Sequence, residues 1–181
     1  MRRLRRTAGA AAFALGLWPG AVPAEVLMTE KAALARAFPD RAVERRTLYL
    51  TPEQVSAVQK AARSKLPSPI VTVFEARGDG GVLGRAVLDT HVVRTMPETA
   101  LTVVDPDGRL RLVLILQFGE PSDYLPREGW LKTLPATGLG DELWPGRGVR
   151  RVTGATLTVQ ALTEAVRRSL AIDALVLRGH P

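Results

Sequence analysis

Hydrophobic spacing divides the chain into helices first, strands in the middle and a helix last. Residues 27–38 (LMTEKAALARAF) place apolar side chains at Leu27, at Ala33 or Leu34, and at Phe38, which predicts a short helix ending before Pro39. A stronger start follows at Thr51-Pro52-Glu53-Gln54. Thr51 suits the cap, Pro52 the first helical position, and Gln54 completes a capping box. Val55, Val58, Ala62 and Leu66 continue that helical face as far as Pro67.

The period then changes from helical to alternating. Ile70 to Arg77 (IVTVFEAR) reads as a strand, Gly78 to Gly81 as a turn, and Val82 to Arg94 as a second strand, with Gly84 marking a bulge or a close approach. Ala100 to Val104 predicts a third strand and Arg109 to Phe118 (RLRLVLILQF) a fourth. Asp105-Pro106-Asp107-Gly108 is the turn between them, because Pro106 presets φ and glycine suits the last position. Residues 119–149 are rich in Gly and Pro and show no period; loops this long usually form a site. Val159, Leu162, Val166 and Leu170 define one face of a final helix. The expected class is α+β: an antiparallel meander with N-terminal helices and a C-terminal helix.

Composition supports one packed domain. The chain has 181 residues, 46% hydrophobic and 24% charged, which excludes disorder or a coiled coil as a whole-chain reading. Cysteine is absent, so disulfides, thiolate metal sites and cysteine nucleophiles are excluded, and two histidines, His91 and His180, cannot build a histidine-rich metal centre. A serine triad around His91 would need Ser122 or Ser169, and neither sits in a nucleophile elbow. No catalytic residue and no metal ligand is therefore assigned.

The net charge of +7 is concentrated at the start. Arg2, Arg3, Arg5 and Arg6 precede a short apolar stretch, Ala8 to Leu17, a Trp18-Pro19-Gly20 break and the small-residue pattern Val22-Pro23-Ala24. Residues 1–24 thus read as a signal peptide, and the working location as periplasmic or otherwise outside the cytoplasm, with an uncleaved inner-membrane anchor as the alternative. Without those four arginines the rest carries 21 basic against 18 acidic residues. That near-neutral balance argues against a nucleic-acid partner.

The segment with chemical content is Val152 to Thr158 (VTGATLT), directly before the last helix. A helix start leaves unpaired N–H groups and a positive dipole end. Gly154 and Ala155 are small enough for a ligand to approach the backbone, and Thr153, Thr156 and Thr158 offer hydroxyls, a combination suited to phosphate. On spacing alone, a threonine that merely caps the helix explains the same residues.

The string Thr153-Gly154-Ala155-Thr156, continued by Leu157-Thr158, resembles the [Ser/Thr]-Gly-Ala-Thr signature of the FMN-binding domain family. That family includes the flavin-bearing periplasmic subunits of the Rnf complex and of the sodium-pumping NADH:quinone oxidoreductase. Weaker likenesses extend over most of the chain. Gly81 to Ala86 (GVLGRA) resembles the family's opening strand, and Asp105 to Gly108 its hairpin. Phe118-Gly119-Glu120-Pro121 and Trp130-Leu131 resemble its pre-signature loop. Phe38-Pro39-Asp40 and Thr51 to Gln54 are similar to the helical lead-in of small secreted members.

The resemblance implies three parts: a signal peptide (1–24), a helical lead-in (25–69) and an FMN-binding domain (70–176). It also implies that an FMN transferase joins FMN through its phosphate to the hydroxyl of Thr156. The product is an electron carrier rather than a substrate-specific enzyme, and its partner is a membrane or periplasmic redox protein. One departure bears on the bond itself. Family members commonly have an acidic residue a few positions before the signature, where this chain has Val149-Arg150-Arg151. The alternative is a noncatalytic binding or assembly module of the same fold with noncovalent or no flavin.

Further candidates come from the strands and the loop. Glu120 could bond the ribityl chain or ring, or be a solvated acid. Trp130 could stack on the flavin, or anchor the loop, and Trp144 has the same two readings. His91 and Arg94 could meet flavin or phosphate, or lie on the sheet surface.

Overall fold

A computed structural model describes residues 24–134 and 136–179. The signal-peptide reading therefore lies, but for Ala24, outside the described residues. The strands are β1 (Glu25–Val26), β2 (Val43–Tyr49), β3 (Ile70–Gly78), β4 (Gly81–Val92), β5 (Pro97–Val104) and β6 (Leu110–Phe118); the helices are α1 (Glu30–Ala37), α2 (Pro52–Ala62), α3 (Glu128–Leu131) and α4 (Thr156–Ile172). The strands form one antiparallel sheet in the order β1-β6-β5-β4-β3-β2. The α+β meander with a C-terminal helix is thus the observed architecture. Among the described residues no helix is long and apolar enough to cross a membrane.

Both faces of the central strands are buried, and alternation sorts their side chains. Ala100 and Val104 of β5 pack with Val159, Leu162, Val166 and Leu170 of α4. Leu101 and Val103 of the same strand turn the other way, toward Ala33, Ala37 and Phe38 at α1. Val71, Val73 and Val87 meet Val58 and Ala62 of α2. Gly84 marks a close approach: a Cβ there would lie 3.0 Å from the Val104 carbonyl oxygen.

The segment 25–69 contains more than helices. β1 and β2 both lie in it and join the same sheet; β2 pairs along its whole length with β3, from Val43 opposite Ala76 to Tyr49 opposite Ile70. β2 escapes hydrophobic patterning because it is an edge strand. Glu44, Arg45 and Arg46 are exposed, a composition that discourages further pairing. β5 begins at Pro97, three residues before the predicted Ala100. α2 takes its capping box at Thr51 and Gln54 as expected, but stops at Ala62, because Arg63 turns left-handed at φ 53°.

Arg167 ties the long loop to the helices. It is 2% exposed. Its Nε donates to the Ala62 carbonyl at the end of α2 (2.8 Å), and Nη1 donates to the loop carbonyl of Gly140 (2.5 Å). Its guanidinium lies 4.4 Å from the Trp144 ring centre, so Trp144 serves this latch. Arg167→Ala removes the guanidinium donor from the buried Ala62 carbonyl and leaves the Gly140 carbonyl with the long Leu143 N–H bond. The expected loss is about 3 kcal/mol of unfolding free energy. Urea denaturation measures it, and limited proteolysis should show cleavage moving into residues 119–149.

Candidate functional site

The start of α4 differs from those of α1 and α2. Thr29 Oγ1 accepts from the Ala32 N–H, and Thr51 Oγ1 from the Gln54 N–H. At α4 the capping position is Ala155, and no side chain caps the helix. The simple threonine cap considered from spacing is therefore not what these hydroxyls do. Thr156 Oγ1, on an exposed residue, donates back to the Val152 carbonyl at 3.3 Å. Thr158 is buried and donates to the Tyr124 carbonyl at 2.7 Å, fastening the loop to the helix. Thr153 is exposed, and Leu157 is 51% exposed. Gly154 turns the chain at φ +86° with no atom within 4 Å of where a Cβ would stand. The first-turn amides of α4 therefore have no side-chain cap, and the positive end of the helix dipole lies at this turn.

Two clefts meet at this turn, and Ala155 lines both. The smaller, about 130 Å³, lies among Arg94, Tyr124 and residues 154–158. The larger, about 440 Å³, is bounded by Trp130, Arg127, Arg150, Asp123 and Thr153. Its size lies in the range of small-ligand sites. Arg94 is held 4.7 Å over the Tyr124 ring. Of Arg150 and Arg151, Arg150 lines the larger cleft.

Glu120 and Trp130 both serve the scaffold around these clefts. Glu120 Oε1 accepts from the backbone N–H groups of Arg94, Thr95 and Met96 at 3.1, 2.7 and 2.9 Å. The Thr95 N–H contributes most to holding its carboxyl below the usual carboxylate range, against a smaller opposing effect of burial. Glu120 thus shapes the β4–β5 turn that presents Arg94. Trp130 is buried and its Nε1 donates to the Arg150 carbonyl at 2.8 Å, so it anchors the loop while lining the larger cleft. Glu120→Gln removes the charge but keeps the shape. Amide exchange at Thr95 and Met96 should then speed up by about tenfold, measured by NMR hydrogen exchange.

His91 lies on neither the sheet surface nor the clefts. It is buried on the sheet face covered by α4, with Nδ1 2.9 Å from Asp89 Oδ1 and Nε2 2.9 Å from Glu98 Oε2. Arg168 of α4 donates to both oxygens of Asp89, each at 2.8 Å. Burial opposes charge on Asp89, but the hydrogen bonds of Arg168 and His91 outweigh it and hold the carboxyl at about 2. Burial likewise opposes charge on His91, and Asp89 and Glu98 outweigh it, raising the imidazole to about 9. Glu98 is pushed up by burial, and its Oε1 has no partner.

A neutral imidazole has one N–H, yet both ring nitrogens face carboxylates. An imidazolium satisfies both contacts. Among the described residues no group of three or more His, Asp or Glu side chains comes together as a metal site.

No protein-family model matches the chain, and no match was found among curated proteins or solved structures.

Proposed function

We propose that this chain is an exported FMN-binding flavoprotein, with FMN joined through its phosphate to Thr156 Oγ1, that carries electrons between partner proteins. The observation supporting this reading most directly is the uncapped start of α4. There the exposed Thr156 hydroxyl, the open Gly154 turn and the Arg94 cation border one cleft. These residues fit a phosphate monoester: amides without a side-chain cap and a guanidinium offer hydrogen-bond donors to it. In forming the ester, Thr156 Oγ1 gains a bond to phosphorus and loses its proton. The transferase supplies an activated flavin nucleotide from which a leaving group departs. The larger cleft has room beside Trp130 for a planar aromatic ring system, and Glu120 holds the turn that carries Arg94.

FMN supplies reversible electron transfer at its ring, so the protein's own task is to bind, position and shield it. The tether keeps the cofactor from diffusing away outside the cytoplasm.

A second reading is a binding or assembly module that holds flavin noncovalently or not at all. It is favoured by Arg150 and Arg151 standing where an acid usually assists attachment. The test is to produce the chain with an FMN transferase, denature it and view the gel under ultraviolet light. Fluorescence in the protein band supports the ester. Yellow colour lost on denaturation indicates noncovalent FMN, and a colourless protein supports the module without flavin.

A further inference from the structure

β6 has one side incompletely covered. Among the described residues, the strand beyond it is β1, two residues long, pairing Glu25 with Phe118 and Val26 with Gln117. Next to that, the N–H groups of Leu27 and Met28 both donate to the Leu116 carbonyl, at 2.9 and 3.1 Å. At the far end the Leu110 N–H donates to the Thr137 carbonyl at 2.9 Å. Among the described residues, no strand pairs with this edge between those ends, over residues 111–115.

The open stretch faces a groove of about 450 Å³. Leu27 and Met28 form part of its wall, Leu125, Leu131 and Leu134 another part, and β6 itself runs along it. Among the described residues lining it, Arg36, Arg111 and Lys132 are charged and none is acidic, but the Arg111 guanidinium is already paired with Asp105. Leu125 also lines the larger cleft beside Trp130, so an occupant would sit next to the proposed flavin position.

These features discriminate between occupants. A lipid chain would cover the apolar walls but leave the outward amide and carbonyl groups of the strand unpaired in a dry groove. An added polypeptide strand covers the walls and satisfies the edge together. The chain already uses this mode once, at β1. Lys132 on the groove wall favours acidic side chains on the incoming strand, by charge complementarity.

We propose that the outer edge of β6 over residues 111–115 accepts an extended, acidic and apolar segment of a partner protein as an added strand. This stands independently of the flavin: the surface is protein, and its occupancy is read without cofactor.

The test is selection of displayed random heptapeptides on the purified chain, followed by titration of synthesised winners. The expected winners alternate apolar residues with Asp or Glu. Methylating alternate backbone nitrogens in one phase should weaken binding by at least about tenfold, while the other phase leaves it unchanged, because only one edge of an added strand bonds β6. Lys132→Glu should weaken binding with the circular dichroism spectrum unchanged. Four results would overturn the proposal: no enriched peptide, winners without acids, equal response to both methylation phases, or dodecanoate binding that winners do not displace. A concentration-dependent dimer abolished by Leu134→Lys would also overturn it, assigning the edge to a second copy of this chain.

Discussion

Thr156→Ala is expected to remove all ultraviolet fluorescence from the denatured protein band, while leaving the fold intact. The side chain is exposed and makes one long hydrogen bond, to the Val152 carbonyl, so its loss costs about 0.5 kcal/mol or less. Of the two threonines lining the smaller cleft, Thr156 is the exposed one. Thr158 is buried with its hydroxyl directed to Tyr124, and Thr153 precedes the turn whose open side Gly154 forms. Thr156→Ser should keep the label, since it retains a hydroxyl on Cβ. Thr158→Ala should also keep the label yet lower stability by about 1 kcal/mol, because the Tyr124 carbonyl loses its donor. Fluorescence per unit of stained protein, set beside thermal denaturation, separates attachment from folding.

Asp89→Ala should produce the largest loss of stability among these substitutions. It leaves the buried Arg168 guanidinium without its bidentate partner and His91 with Glu98 alone. Breaking one side of such a buried pair costs about 3–5 kcal/mol, measurable by urea denaturation. Asp89→Leu combined with Arg168→Leu should recover much of it, since apolar side chains of suitable volume often replace buried ions without loss.

The same network sets a pH window. His91 has a folded pKa raised to about 9, so its contribution is complete below its ordinary value of 6.5 and is lost as pH rises through 9. Asp89, held at about 2, contributes fully above 3.8 and loses its share as pH falls toward 2. Glu98 acts in the opposite sense. Its raised pKa costs stability as pH climbs above the usual carboxylate range, which narrows the optimum from the alkaline side. Stability should therefore peak in mildly acidic solution and fall by about 3 kcal/mol between pH 6.5 and 10. In His91→Gln that alkaline slope should disappear.

Residues that announce their structure locally were legible in the sequence. The Thr51 capping box, the Asp105 to Gly108 turn and the apolar face of α4 each depend on a few neighbours and appear where local chemistry puts them. β2 was not legible, because an edge strand with exposed Glu44, Arg45 and Arg46 carries no alternating apolar signal and gains its identity from pairing with β3. The arginine latch and the buried ion network were hidden for a similar reason. Arg167 and Arg168 look like surface charges on a helix until α2, the loop and β4 close over them. One clue to the network existed: Asp89 and His91 share the alternation phase of Val87, which faces the core.

At the candidate site, the place was readable and the roles only partly. Thr156, Gly154 and Ala155 stand at the helix start as their spacing predicts. That Glu120 turns its oxygen to backbone amides, and that Trp130 bonds the Arg150 carbonyl, depends on contacts across 20 or more residues of chain.

The most direct test is tandem mass spectrometry of the tryptic peptide spanning residues 152–167, from protein made together with an FMN transferase. This peptide contains Thr153, Thr156, Thr158 and Thr163 and ends at Arg167. The account predicts a peptide heavier by one esterified FMN, with fragment ions placing the added mass on Thr156. A peptide of bare mass, or flavin carried on any other residue, would contradict it.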